Sequence, residues 1–520
     1  MHIRGALIAA VMPVFLIGAA APVRTVDLLI RGGLVYTGSA APFVGDVAIS
    51  GDRIKAVGRR LRVAARTVID AKGKVVAPGF IDPHTHAGKD LGSDEAHVRL
   101  VPAFLLQGVT TAFIGNDGAG DAEVGAVLGR ASAKPVGVNF AAFVGFGAVR
   151  TKVVGEADRA PTPDELARMR AMVAKAMCEG AVGFSTGLFY APQSFAKTGE
   201  VAALAREAGS RDGVYDSHIR DESSYNIGLV AAIDEALAIG REARIRVNIS
   251  HIKALGVDVE GQAPLVIARI EAARRAGQRV TADQYPWSAS GTTLVGALIP
   301  LWAQAGGRDA MVARFDDAGL GSRLRAGISE NLRKRGGAGA MLITVGDHKG
   351  RTLAEVAGQR GEEPVAAVIS LVRQADAPVA SFNQSERDIK AFMRRPWVMT
   401  GSDGTLGHPR MFGSFVRKYA KYVVAERVLT PRQFIERSTA LTAASFGVMD
   451  RGRLVPGAFA DVVVFDPRRF AARATYEQPE LPAVGVRSVI VNGVLAVHDG
   501  KLTGRAAGRA LRHIPTPGRC

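Results

Sequence analysis

From about residue 78 to residue 403 the chain alternates between short apolar runs and longer amphipathic stretches. The runs TTAFIGN, VGVNFAAFVG, AVGFSTG, VYDSHIR, IRVNISHI, RVTADQY and WVMTGSD have the length and residue types of buried strands. Between them, TPDELARMRAMVAKAM, VAALAREAG, NIGLVAAIDEALAIGRE and APLVIARIEAARRAG space their apolar residues at the helical period. Parallel strands need a crossover, so this alternation predicts a parallel sheet. At least seven such units predict an α/β fold closed as a (β/α)8 TIM barrel over 78–445. The full 520 residues exceed one ordinary core, but suit a large barrel with an attached domain.

The flanks have a different texture. Residues 22–77 contain VDLLIRGGLVYTG, GDVAISGDRIKAVG and KVVAPG, β-formers between turn residues. Residues 446–505 return to the same pattern in GRLVPGAFADVVVFDP and VRSVIVNGVLAV. The two ends are expected to pair into one small β-sandwich, leaving 506–520 as a tail. Residues 292–345 interrupt the barrel rhythm and are expected to be an insertion near its mouth. At the start, the charged MHIR precedes an apolar run from Gly5 to about Ala20 and a cluster of small residues. That order predicts a cleaved signal peptide at 1–21 and a periplasmic or secreted protein. The run is too short for a spanning helix, so no lasting membrane insertion is expected.

The formal net charge is +17, but Lys and Arg are dispersed and form no basic recognition helix. Nucleic acid is therefore not the expected partner. Cys178 and Cys520 are the only cysteines. Cys178 reads most simply as a packed helix residue, and the sequence leaves open whether the two are bridged.

The strongest chemical signal is GFIDPHTHAG. Residues two apart on an extended strand face the same way, so His84 and His86 project together and can hold one divalent metal. Further polar residues follow later strands: Asn116 and Asp117, His218, His251 and Asp403. Strand carboxyl ends build the active site of a TIM barrel, so these side chains are expected to converge. Imidazoles and carboxylates in this number suit a hydrolytic site for one or two ions, zinc first.

On these residues the chain resembles the amidohydrolase superfamily and, within it, the D-aminoacylase (N-acyl-D-amino-acid deacylase) family. The likeness rests on APGFIDPHTH, QGVTTAFIGNDG, NFAAFVG, GAVGFSTGLFYAP, DSHIRDES, ISHIKALG, DQYPWSASGTTL, GSDG, HPRMFGSFVRKY and LTAASFGVMDRGRLVPGAFADVVVFDP. The resemblance implies a TIM barrel with a β-sandwich and metal-dependent hydrolysis of N-acyl-D-amino acids. It implies His84, His86, Asp117, His218, His251 and Asp403 as metal ligands, with Asp403 also the general base. It implies Lys253, Tyr285 and Arg410 as a grip on the substrate α-carboxylate, with Tyr190 nearby. Two departures stand out. Asp117 occupies a place where the family often has Cys, and a carboxylate is the harder ligand. Phe146 occupies a place where many relatives have His, which predicts a pocket of altered polarity.

Rival readings are a cyclic-imide hydrolase or dipeptidase of the same superfamily, and an inactive binding scaffold. A free α-carboxylate needs Lys253, Tyr285 and Arg410, whereas a cyclic imide does not. A scaffold would be free to lose Asp403 or the histidines, and all are present.

Overall fold

The computed structural model describes residues 25–520, so the signal segment expected at 1–21 lies outside the described residues. Among the described residues no helix is long and apolar enough to cross a membrane.

The chain opens with β1 (Thr25–Val35), β2 (Phe43–Ser50), β3 (Arg53–Gly58), β4 (Ala64–Asp70) and β5 (Val75–Pro78). β1 pairs antiparallel with β2 and parallel with β4 and β5. The apolar run 75–81 then divides at Gly79. A Cβ there would sit 2.2 Å from Thr110 Oγ1, so only glycine allows the close step from the terminal sheet into the next layer.

That layer contains β6 (Phe80–Asp82), β7 (Val109–Ile114), β8 (Asn139–Ala142), β9 (Val144–Gly145), β10 (Gly183–Gly187), β11 (Val214–His218), β12 (Arg246–Ile249) and β13 (Val280–Gln284). β6, β7 and β8 pair in parallel, as do β9 through β13 in sequence. Only Phe143 separates β8 from β9. The crossovers are helices, such as Pro163–Cys178, which starts on a capping box between Thr162 and Glu165 with Pro163 at its first position. That helix buries Met169, Val173, Ala176 and Met177 against the sheet.

A second layer interrupts the rhythm. β14 (Ala289–Thr293), β15 (Met341–Ile343) and β16 (Pro378–Phe382) pair antiparallel, with β16 in the middle. Leu294, Leu298, Ile328, Leu353 and Val368 belong to its own apolar cluster. This layer reaches Phe382, beyond the 292–345 expected for an insertion. The reason is topological: β16 is the central strand, and it comes last. β17 (Val398–Thr400) then pairs parallel with β13. Thr85, just past β6, forms a parallel bridge with Gly404, just past β17. Asp403 N donates to His84 O at 2.9 Å in the same place.

The chain returns to the terminal sheet in β18 (Val462–Phe465), β19 (Val486–Val491), β20 (Val494–His498) and β21 (Lys501–Leu502). β18 pairs antiparallel with β5, joining both ends of the chain in one nine-stranded sheet. Val47 and Ile54 meet Val462 and Ile490 in one apolar cluster, although β2 and β3 lie at the far side of the path from β18 and β19. The sheet therefore folds over on itself. Phe80 fastens it to the parallel layer, with its ring 5.5 Å from Phe415 and 6.3 Å from Phe465.

The segment expected as a tail is tied down. Gly508 N donates to Val136 O at 2.8 Å, Leu511 N to Phe140 O at 2.7 Å and His513 N to Gly180 O at 3.0 Å. Cys178 and Cys520 are joined in a disulfide.

Candidate active site

Asp117 stands at the centre of the site. Its Oδ2 lies 3.4 Å from His84 Nε2 and 3.5 Å from His86 Nε2. Its Oδ1 lies 3.5 Å from His218 Nδ1 and 3.4 Å from His251 Nε2. One carboxylate thus divides its two oxygens between two pairs of imidazoles. Asp403 Oδ1 closes the first side, 3.1 Å from His86 Nε2 and 3.6 Å from His84 Nε2. Of the seven residues expected to converge, six do so, each at or just past the carboxyl end of a parallel strand, and Asn116 does not.

The backbone explains how. Asp117, His251 and Asp403 have φ of +57°, +34° and +50°, left-handed values that non-glycine residues rarely adopt. Each turn lies beyond the end of β7, β12 or β17. His251 and Lys253 meet, with Lys253 Nζ 2.6 Å from His251 Nδ1. Both lie past the end of β12 at Ile249, so the turn that follows the strand brings them together.

Beneath the site lies a polar layer in which Asn116 meets Asp216, Asn248 and Asp283, three residues that the sequence reading did not single out. Asn116 faces away from the imidazoles, donating to Pro83 O at 3.0 Å and Asp216 Oδ2 at 2.9 Å. Asn248 Nδ2 donates to both Asp216 and Asp283 at 2.8 Å. Asp283 Oδ1 accepts from His251 N at 3.0 Å. These bonds hold the turns that carry the histidines. Glu222 was missed as well. It is buried, 2.5 Å from Lys253 Nζ, 3.1 Å from His251 Nδ1 and 3.7 Å from His218 Nε2. The DSHIRDES motif contained both Asp216 and Glu222, but nothing local distinguishes them from surface carboxylates.

Tyr285, Lys253 and Arg410 come together on one wall. The Tyr285 ring centroid is 5.7 Å from Lys253 Nζ and 5.1 Å from Arg410 Cζ, and its hydroxyl accepts from Gln384 at 2.9 Å. Arg410 opens the helix Arg410–Arg417 and is buried. Tyr190 packs with its ring 5.0 Å from that of His218, its hydroxyl 3.2 Å from Thr292 Oγ1. Phe146 does not fulfil its expectation. It is fully buried, edge-on to Phe184 at 5.9 Å, and forms no part of the cavity wall, so it cannot set pocket polarity.

The electrostatics follow from burial and crowding. Burial pushes the Asp117 carboxyl up, but His84, His251 and His218 outweigh it and hold the group well below the ordinary range. Burial likewise raises Asp403, and Arg410, His251, His86 and His84 together bring it far down. Burial disfavours charge on His84 and His251, yet the neighbouring carboxylates raise them to about 10 and about 9. His218 is shifted down, burial being the largest cause.

The donor set fits a divalent metal. Both ring nitrogens of His84 and His218, and Asp117 Oδ1, are buried with no hydrogen-bond partner among the described residues. The ligand atoms of His84, Asp117, His251 and Asp403 lie within 4.8 Å of one another, as do those of His218, Glu222 and His251. Imidazole and carboxylate donors match zinc chemistry. The site opens into a cavity of about 340 Å³ lined by His86, Tyr190, Lys253, Tyr285, Arg335 and Arg410, among others.

Parallel strands presenting a His-x-His pair, two further histidines and a terminal aspartate define a metal-dependent hydrolase architecture, and the comparisons agree. The chain belongs to the amidohydrolase family, whose model matches residues 67–497. It is 34% identical to a D-aminoacylase from Alcaligenes xylosoxydans xylosoxydans, over 93% of this chain and 97% of that one. It is also 34% identical to an N-acyl-D-glutamate deacylase of the same organism, over 94% and 96%. Among solved structures it matches N-acyl-D-glutamate deacylase from Bordetella bronchiseptica, complexed with zinc and a phosphonate mimic of the tetrahedral intermediate. That match has a TM-score of 0.80 and 32% identity, covering 94% of this chain and all of the other.

Proposed function

We propose that this protein hydrolyses the amide bond of N-acyl-D-amino acids, releasing a carboxylic acid and a D-amino acid. The observation that carries the reading is the position of Asp117 between His84 and His86 on one side and His218 and His251 on the other. It stands beside a cavity that also holds Lys253, Tyr285 and Arg410. The D preference is taken from the relatives.

His84, His86, Asp117 and Asp403 would hold one ion, and Asp117, His218 and His251 a second. A carboxylate in place of a thiolate has two oxygens to offer, and Asp117 turns one towards each pair of histidines. A zinc ion bound there supplies Lewis acidity to the scissile carbonyl and to the attacking water. Asp403 takes a proton from the water as its oxygen adds to the acyl carbon, then returns it to the nitrogen as the C–N bond breaks. Lys253, Tyr285 and Arg410 bind the α-carboxylate and fix which bond faces Asp403. Tyr190 closes the wall next to His218. A small-molecule substrate is the partner that such a cavity admits.

The parallel pairings from β6 to β17, with the Thr85–Gly404 bridge, support a closed (β/α)8 barrel. The folded-over terminal sheet supports the small sandwich. The Cys178–Cys520 bridge supports export, because disulfides persist in oxidising compartments.

The test is amine release from N-acetyl D- and L-amino acids by the zinc-loaded protein, with Asp403→Asn as control. Release from D substrates alone, abolished by the substitution, is the expected result. Release from neither series would retire the reading.

A further inference from the structure

Three lysine and arginine side chains line the cavity, and they are not equivalent. Lys253 is paired with Glu222 at 2.5 Å, and Arg410 with Asp403 at 2.6 Å. Arg335 makes no salt bridge among the described residues, although it is only 2% exposed. It caps the carboxyl end of the helix Gly321–Lys334, in the inserted layer, and reaches the cavity from there. Its Nε has no hydrogen-bond partner among the described residues. Its guanidinium carbon lies 5.5 Å from the Tyr225 ring centroid. With the Asn383 amide turned to satisfy both its atoms, Nη1 is 3.3 Å from the amide oxygen.

Other buried arginines are served differently. Arg150 faces Glu200 at 3.3 Å, and Arg220 faces Glu235 at 2.8 Å. Arg99 donates to the carbonyls of Ser93, Asp94 and Pro135. A guanidinium cannot shed its proton, so burying it with a ring face and one amide leaves its charge uncompensated. The missing anion has to come from what fills the cavity. The wall around it suits a polar occupant: Ser290, Thr292 and Thr293 line the cavity, with Leu255 the one aliphatic side chain longer than alanine.

Resting on the deacylase reading, in which Lys253, Tyr285 and Arg410 take the α-carboxylate, we propose that Arg335 binds a second carboxylate, the side chain of an acidic D-amino acid. Arg335 is then the residue that determines side-chain specificity. The substrate class is N-acyl-D-glutamate or N-acyl-D-aspartate, in preference to neutral D-residues. The planar guanidinium supplies a two-pronged donor to that carboxylate.

The experiment compares the zinc-loaded wild type, Arg335→Met and Arg335→Lys. It measures kcat/KM for N-acetyl-D-glutamate, N-acetyl-D-aspartate and N-acetyl-D-leucine, calorimetric binding of D-glutamate and D-leucine, and thermal midpoints. The wild type is expected to favour an acidic substrate over leucine. Arg335→Met should collapse that ratio by about 100-fold, the order expected when one partner of a buried charge pair is truncated. Arg335→Lys should restore part of it, and the two acidic substrates will rank the side-chain length. The midpoint of Arg335→Met should not fall, since the change removes an uncompensated buried charge, whereas a structural arginine would lower it. Preference of the wild type for leucine, or equal loss on acidic and neutral substrates, would overturn the assignment. Absence of turnover on every substrate would retire the deacylase reading instead. Binding then decides on Arg335: tighter binding of D-glutamate than D-leucine, lost in Arg335→Met, upholds it, and no such difference overturns it.

Discussion

Arg410 Nη1 lies 2.6 Å from Asp403 Oδ2, while the other oxygen of that carboxylate faces His86 Nε2 at 3.1 Å. The proposed base and a proposed substrate anchor therefore form one ion pair. A substrate carboxylate that engages Arg410 draws off positive charge from Asp403 and makes it the stronger base. Binding and proton transfer are thereby coupled.

Asp403→Asn is expected to reduce kcat by about 10³-fold, within the range for loss of a positioned base. Arg410→Met is expected to raise KM. It should also move the acid limb of the kcat/KM profile to higher pH, because Arg410 is the largest of the influences that lower the Asp403 carboxyl. An acid limb that stays in place would show that Arg410 does not set the basicity of Asp403.

Glu222 is buried, which pushes its carboxyl up, yet Lys253, His218 and His251 bring it far down. Glu222→Gln leaves Lys253 in the interior without a counter-charge. Such losses cost about 3–5 kcal/mol, and denaturant unfolding should show a deficit of that order. The Lys253→Met, Glu222→Gln double variant should recover much of it, while its KM stays high.

His84 and His251 sit at about 10 and about 9 without metal, so both carry a proton at pH 7. A ligating imidazole must give that proton up. Zinc uptake at pH 7 should release about two protons, measured by calorimetry in buffers of different protonation enthalpy. Apparent affinity should weaken as the pH falls below 9. Chelation should lower the thermal midpoint by removing a ligand that binds only the folded chain.

Lys418 is fully buried, with Nζ 3.4 Å from Met399 O and no carboxylate bonded to it among the described residues. Burial, aided by Arg437, lowers its amine from 10.5 to about 7. Between those values the unfolded chain binds a proton that the folded chain does not, so this group makes stability rise with pH. Lys418→Met should be the more stable protein at pH 7, with the advantage shrinking towards pH 10.5. An advantage that does not change with pH would mean that Lys418 stays protonated in the fold.

The disulfide spans 342 residues and pins the C-terminal strap to the helix Pro163–Cys178. Cys520→Ser should cost about 2–4 kcal/mol in unfolding and expose the strap to proteolysis. Identical stability with and without reductant would show that the hydrogen bonds at Gly508, Leu511 and His513 suffice to hold it.

Periodicity in the sequence was enough to identify the strands and helices of the parallel layer, because apolar spacing is a local property of each segment. His84 and His86 were legible for the same reason, since two residues apart on an extended chain face one way. The convergence of Asp117, His218, His251 and Asp403 could be expected only through strand ends and resemblance. Their meeting depends on left-handed turns at Asp117, His251 and Asp403, which no residue type announces. Glu222, Asp216 and Arg335 were beyond reach. A carboxylate or a guanidinium looks the same in the sequence whether it faces water or lies inside the fold. Only the tertiary structure shows which neighbours it has, and a buried charge takes its chemistry from its neighbours.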